Sequence, residues 1–543
     1  MKMVKSLLLG SAAGLVAVVG AQAADLPVKA KPVEYVKVCS LYGAGFYYIP
    51  GTDICMKMGG YVRAQYYYNT GTGPSTGVMF GGASAQQSNA TGFANDTVMR
   101  TRAVWTVDTR SQTEWGTLRT YVLMGFNHDT PGGSSFGGNA ASLYATRGFI
   151  QFAGFTFGKA QSFYDLYSTP AVTYFGIAAS DTGDAGVMLA AYTAQLGNGV
   201  SATIALEEPR RLGIVNADAV AGRTIGNTNF GGNGTVLAAN AGSSPWLVGA
   251  VPNNDYGTVK WPDLVANIRV DQAWGSFQVM GALHDASAAY NLAAISGSTG
   301  LLNNCLGDAT AAGAAPGTTG AMQCGEGPNA LGYAIGVGAR VKTDFISRGD
   351  SFQFQVNWTE GAGRYAIYTP SGAGSPALFG GGNSLGLGFL TDGVRVNGAD
   401  VELTKVLGIN ASYEHVWTPA LKTSLYGGWF NVGYNANATA MICGSLNYTG
   451  PAGNLTRQNG SISNVSNCDA DFSFWYIGSR TQWNIRPDFY MGVDVLYHRL
   501  DTAFAGLGDF VALTGAPRPT ARYAIEDQDA LSVTFRVHRD IVP

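Results

Sequence analysis

The stretch VMRTRAVWTVDTR, Val98 to Arg110, places Arg100, Arg102, Asp108 and Arg110 at alternate positions and sets Met99, Ala103, Trp105 and Val107 between them. A period of two marks a β-strand, because successive side chains leave its opposite faces. A soluble sheet hides its apolar face on a core and turns its polar face to water. The fold therefore depends on where the face of Met99, Trp105 and Val107 points, and the rest of the chain has to answer that.

Only 13% of the 543 residues are Asp, Glu, Lys or Arg, against about 25% in ordinary soluble proteins. So few charges make a water-exposed surface hard to build. With 75 glycines, 27 tyrosines, 25 phenylalanines and 10 tryptophans, strands and turns are favoured over long helices, and an all-β fold is expected. A mean hydropathy of +0.06 is too polar for a helical membrane protein but suits a barrel with one apolar and one polar face. The net charge of -3 comes with no basic block, so nucleic acid is not an expected partner.

The N-terminus reads as an export signal. In MKMVKSLLLGSAAGLVAVVGAQA, Lys2 and Lys5 precede an apolar run from Leu7 to about Gly20, and Ala21-Gln22-Ala23 has the small-x-small form of a cleavage site. Residues 1–23 are therefore expected to be a signal peptide, 24–54 an extended basic and proline-punctuated segment, and 55–543 the folded body. Beyond Ala24 no apolar run approaches the ~20 residues of a helical span. In an exported chain six cysteines suggest disulfides. Taken in order they pair Cys39 with Cys55, Cys305 with Cys324 and Cys443 with Cys468, one of about fifteen connectivities. There is no C-x-x-C, H-E-x-x-H, P-loop or dinucleotide fingerprint, so neither a metal nor a cofactor is expected.

The alternation recurs along the chain. Lys57, Tyr61, Arg63 and Gln65 share one face and Met58, Val62, Ala64 and Tyr66 the other. Arg119 and Tyr121 oppose Leu118, Val122, Met124 and Phe126, while Arg147 and Gln151 oppose Tyr144, Ile150 and Phe152. Near the end, Arg480 and Gln482 oppose Trp475 and Trp483, Asp494 and His498 oppose Val493 and Val495, and Arg536 and His538 oppose Phe535 and Val537. Tight joints fall at 111–116, 153–154, 197–199, 274–276, 347–350, 418–421 and 486–488. Long Gly/Ser/Ala/Asn-rich stretches lie between them, at about 70–96, 209–256, 286–330, 366–400 and 435–470, with shorter ones near 128–142 and 501–527. Short turns at one end and long loops at the other describe a transmembrane antiparallel β-barrel of about 16 strands, with periplasmic turns and extracellular loops. Its apolar face then meets lipid, and an interior this charged must hold water. Tyr66, Tyr68, Trp115 and Tyr144 are expected in interfacial girdles.

Four successive strands offer Arg63, then Arg100 and Arg102, then Arg119, then Arg147 to the interior, and neighbouring strands stand about 4.8 Å apart. These side chains are expected to form a basic wall. The segment AQSFYDLYSTPAVTYFGIAASDTGDAG, 160–186, carries only Asp165, Asp181 and Asp184 as charges, together with Phe163, Tyr164, Tyr167, Tyr174 and Phe175. Its aromatic underside suits a loop folded inward onto the wall, with its acidic side facing the arginines across a narrow gap.

The stretches VKVCSLYGAGFYYIPGTDICMKMGGYVRAQ (36–65), RGFIQFAGFTFGKAQSFYD (147–165) and VTFRVHRD (533–540) resemble the general porin family of alphaproteobacterial outer membranes, over essentially the whole chain beyond residue 23. The resemblance implies a 16-stranded, homotrimeric, water-filled channel for passive diffusion of small hydrophilic solutes and ions. It lies in outer-membrane lipid and lipopolysaccharide and is narrowed by an inward-folded third loop. The stretch after Lys159 corresponds to that loop. Asp165, Asp181 and Asp184 match its acidic side, and Arg63, Arg100, Arg102, Arg119 and Arg147 match the basic wall. The chain departs in ending HRDIVP, so Phe535 is expected to supply the aromatic assembly signal, and in the length of 209–256 and 435–470. The alternatives are a substrate-specific channel, a surface adhesin on the same scaffold, and an outer-membrane hydrolase. The last would need a His base beside a nucleophile, and no serine signature flanks His128 or His498.

Overall fold

The structure is a computed structural model that describes residues 38–68, 97–130, 141–177, 179–180, 182, 185–216, 256–289, 327–367, 377–380, 382–395, 399–445, 465–510 and 521–541. The expected signal peptide, Asp181, Asp184, Cys305, Cys324 and the side chain of Cys443 lie outside them. The chain divides at Lys57 and Met58 into two units.

The first unit, from Val38, is a small hairpin. Tyr47 and Tyr48 pair antiparallel with Met56 and Cys55, the Cys39–Cys55 disulfide closes it, and Phe46 is buried with both cysteines. This is the first of the three expected bridges. Cys468 is also disulfide-bonded.

The second unit is a closed antiparallel barrel of 16 strands. In chain order they are β1 (Cys55–Tyr68), β2 (Thr97–Thr113), β3 (Gly116–Thr130), β4 (Ala141–Phe152), β5 (Phe155–Ala160), β6 (Val187–Gly197), β7 (Val200–Glu207) and β8 (Asp263–Gln272). There follow β9 (Gly275–Asp285), β10 (Leu331–Lys342), β11 (Ser351–Glu360), β12 (Lys405–Thr418), β13 (Leu421–Gly433), β14 (Phe472–Arg486), β15 (Phe489–Asp501) and β16 (Gln528–Asp540). Each strand pairs with the next and β16 pairs back onto β1, so no backbone edge is left unpaired for lipid to face.

Alternation sets the two faces. On β2, Met99 and Trp105 are 47% and 46% exposed while Arg100 and Arg102 are 5% and 8% exposed, which puts the arginines inside and the hydrophobes outside. Ile150, Ile204, Ile268, Leu425, Ile477 and Leu531 are exposed on the outer face in the same way. The short joints carry the expected turn chemistry. Ala153–Gly154 and Asn198–Gly199 have positive φ at both residues, as two-residue turns matched to strand twist require.

Tyr144 is a correction to the sequence reading. The β3–β4 register slips between Leu123 and Met124, which face Arg147 and Ala145, so Thr146 is an extra residue. A β-bulge reverses the alternation beyond it. Tyr144 therefore points inward, buried, with the Arg102 guanidinium 3.9 Å from its ring centre. Tyr66, Tyr68 and Trp115 are exposed, as a girdle requires.

The long loops are not plain coil. Ile214–Asn216, Gly393–Arg395 and Glu402–Leu403 form one small sheet, and Ala377–Gly380, Ser384–Leu387, Val465–Asn467, Ala505–Phe510 and Ala521–Ile525 form another. A short helix α1 (Thr169–Val172) lies in the β5–β6 loop and α2 (Ala436–Ser445) in the β13–β14 loop. Leu385, Leu387, Phe389, Leu390 and Phe504 from these loops join Phe430, Phe474 and Leu496 of the inner wall in one buried apolar core. Val172, Phe175 and Ile177 of the β5–β6 loop belong to the same core.

Candidate functional site

The described residues of the β5–β6 loop, which spans 161–186, run along the inside of the barrel. An irregular segment there must find partners for its backbone groups, and wall side chains supply them in sequence. Glu207 on β7 accepts from Ser162 Oγ at 2.5 Å and from Phe163 N at 2.8 Å. Asn267 and Gln278, on β8 and β9, donate to Phe163 O at 2.6 and 3.1 Å. Gln355 on β11 accepts from the backbone N–H of Leu166 and of Tyr167 at 3.0 and 2.9 Å, and Gln353 donates to Ser168 O.

The second half of the loop is held on β14 to β16. Asp494 Oδ2 accepts from Thr173 Oγ1 at 2.7 Å and Tyr174 N at 2.6 Å. Arg480 donates to Ala171 O at 2.8 Å, Arg536 to Tyr174 O at 3.2 Å, and Tyr174 Oη to Gln482 Oε1 at 2.9 Å. These anchors run from β7 round to β16, the arc complementary to the arginine strands β1–β4. Glycine makes room for the rings: a Cβ on Gly492 would lie 2.3 Å from Tyr174 Oη, and one on Gly336 would lie 2.8 Å from Tyr164 Oη. The inward fold anticipated from the aromatics is what forms, with Tyr164, Tyr167, Tyr174 and Phe175 buried.

All five expected arginines lie on the inner face, and much of their charge is balanced within the wall. Arg100 makes a two-point ion pair with Asp129 at 2.5 and 2.6 Å. Arg102 Nε donates to Asn127 Oδ1 at 2.6 Å. Asp108 bridges Arg110 at 2.9 Å and Arg119 at 3.0 Å, and Arg119 also donates to Gln151. Arg147 donates to Thr146 O at 2.8 Å. Arg63 Nε donates to His538 Nδ1 at 3.3 Å. Alternation alone does not mark Asp129 as a wall residue, but the tight turn at 114–115 fixes the register that sets it beside Arg100.

Asp165 differs from the expectation that it faces the arginines. It is buried in an ion pair with Arg210, with Oδ1 to Nη2 2.9 Å and side-chain exposures of 0% and 1%. Its other oxygen accepts from Thr182 N at 2.7 Å and Thr182 Oγ1 at 2.6 Å. The carboxylate thus ties the outgoing limb of the loop to the returning limb and to the segment after β7. Burial opposes the Arg210 charge, but Asp165, Tyr365 and Glu207 outweigh it and hold its pKa above the ordinary arginine value. Arg210, Glu207, Gln355, Asp494 and Arg536 are all missing from the sequence-based site. Each acts through a contact with no local spacing signal.

The porin subfamily model matches residues 25–534 of the chain. Porin Omp2b of Brucella suis is 36% identical over 214 residues, covering 38% of this chain and 52% of the Brucella protein. Porin Omp2b of Brucella melitensis is 38% identical over 215 residues, covering 38% and 54%. The chain spans about half the length of these curated relatives. The solved outer membrane channel DcaP of Acinetobacter baumannii covers 91% of this chain and 99% of its own at 10% identity and a TM-score of 0.51, a likeness of fold. With a match over most of its length and a closed 16-stranded barrel, the chain belongs to the porin subfamily of bacterial outer-membrane proteins.

Proposed function

We propose that the chain forms a water-filled channel for passive diffusion of small hydrophilic solutes and ions, with its narrowest part between the β5–β6 loop and the arginine-bearing wall of β1–β4. The observation that carries this reading is the anchoring of the loop to the arc from β7 to β16 by named wall side chains, while Arg63, Arg119 and Arg147 on β1, β3 and β4 are only partly buried. Charges of both signs along a narrow aqueous path create a transverse field. A dipolar solute aligns in it and a large apolar one must shed ordered water, so passage is graded by size and polarity. Asp181 and Asp184 are the proposed acidic face of the loop, and Asp165 serves to hold its neck. A homotrimer in outer-membrane lipid and lipopolysaccharide fits the family. Diffusion accounts for the wall without a catalytic step.

Liposome swelling tests the proposal. Proteoliposomes are expected to swell at rates that fall steadily with the size of an uncharged sugar, and no swelling with any of them would refute it. The loop's seat supplies a second result. A Gly492→Leu side chain must displace the Tyr174 ring, whose hydroxyl then loses its bond to Gln482. That variant is expected to admit sugars the wild type excludes. An unchanged size limit, in a barrel that still resists unfolding by detergent, would show that Tyr174 does not hold the loop.

A further inference from the structure

Where β1, β16 and β15 meet the turn of the β5–β6 loop, the inner face carries aromatic rings interleaved with cations. Cross-strand register sets Arg63 opposite His538, and His538 opposite Tyr490. The Tyr61 and His538 rings are 4.8 Å apart, His538 and Tyr490 are 4.6 Å apart and stacked, and Tyr490 and Tyr174 are 6.3 Å apart and stacked. The Arg63 guanidinium lies 4.6 Å from the Tyr61 ring centre and that of Arg536 lies 3.9 Å from the centre of Tyr174.

Two features separate this cluster from the rest of the basic wall. Arg100, Arg110 and Arg119 are held by Asp129 and Asp108, whereas among the described residues neither Arg63 nor Arg536 is bonded to a carboxylate. Tyr61, Arg63 and Tyr490 are also only half-buried, so a solute in the lumen can reach them. A planar guanidinium matches a carboxylate with two parallel N–H donors. Rings beside it add aromatic contact, offset or edge-on, that a saturated ring or an inorganic ion cannot use. Bare rings alone would suit a sugar; the adjoining cations, bonded to no carboxylate among the described residues, select an anion.

We propose that Arg63, Tyr61 and Tyr490 form a binding station for small aromatic carboxylates, of the benzoate class, on the inner wall. The station rests on the channel reading and adds a solute preference to it. Benzoate would lie with its carboxylate on Arg63 and its ring against Tyr490 or Tyr61, retarded there before passing on.

The test compares benzoate with cyclohexanecarboxylate, which has the same charge and nearly the same size but no aromatic face. Binding to the folded full chain in detergent is read by saturation-transfer NMR, and block of potassium chloride conductance is read in planar bilayers. Benzoate is expected to bind at least about three-fold more tightly than cyclohexanecarboxylate. Tyr490→Leu and, separately, Tyr61→Leu should reduce that ratio toward one, and Arg63→Gln should weaken both acids. Equal binding of the two acids to the wild type, or a ratio unmoved in both ring variants, would overturn the station. Ring-dependent binding without any potassium chloride steps would overturn the channel reading and leave the station standing. Steps without ring-dependent binding would do the reverse.

Discussion

Replacing Asp165 by asparagine is expected to loosen the β5–β6 loop more than any other single change in it. The substitution leaves Arg210 charged in a site where its side chain is 1% exposed, and stranding one member of a buried ion pair costs about 3–5 kcal/mol. It also weakens the bridge from the outgoing limb to Thr182 on the return. The barrel's own hydrogen-bonded ladder does not depend on this carboxylate, so the strands should still close. The expected result is a folded barrel that converts to the unfolded form in detergent gels at a lower temperature, with noisier and larger single-channel steps. Replacing both members, as Asp165→Leu with Arg210→Leu, should recover part of the loss, because neither member of the pair is then left as a charge without the other. If Asp165→Asn matched the wild type in both gel and conductance, the pair would not hold the loop.

A second large effect is expected on ion preference. A unit charge 4 Å from a passing ion in water-like surroundings is worth about 1 kcal/mol, or a factor of about five in local ion population. Arg63 is half-buried with no carboxylate bonded to it among the described residues, so Arg63→Gln removes an uncompensated positive charge. The permeability ratio, read from the reversal potential in a salt gradient, should move toward cations by about two- to five-fold. Removing the Arg100–Asp129 pair together, as Arg100→Gln with Asp129→Asn, deletes charges that already cancel at 2.5 Å and should leave the ratio nearly unmoved. The reverse ranking would mean that the path runs past Arg100 and not past Arg63.

The inner and outer faces of the strands are legible in the sequence because alternation is local and tight joints such as Ala153–Gly154 and Asn198–Gly199 fix the register of their neighbours. The same logic places the wall arginines. It fails at Tyr144, where one extra residue, Thr146, reverses the face with no compositional mark. The role of Asp165 is illegible for a different reason. Its partner Arg210 stands 45 residues further on, beyond two strands, and only the closed barrel brings them together. The shared core of the outer loops is hidden too, since segments such as Ser384–Leu387 are only four residues long and buried on both faces. They are buried by residues more than a hundred positions away, as Leu387 N is when it donates to Thr502 Oγ1. The loop aromatics Tyr164 and Tyr174 were readable as buried groups, but the glycines that receive them, Gly336 and Gly492, look like ordinary strand glycines until the two are seen in contact.

The most direct test of the central claim, that an aqueous path passes between the β5–β6 loop and the arginine wall, is single-channel recording of the full chain, folded and inserted into a planar bilayer. Stable ohmic steps whose size rises in proportion to salt concentration are the result the account predicts. A barrel shown to be folded by its heat-dependent gel mobility, yet inserted without any conducting step, would contradict it and would mean that the core shared by the loops and the inner wall seals the lumen.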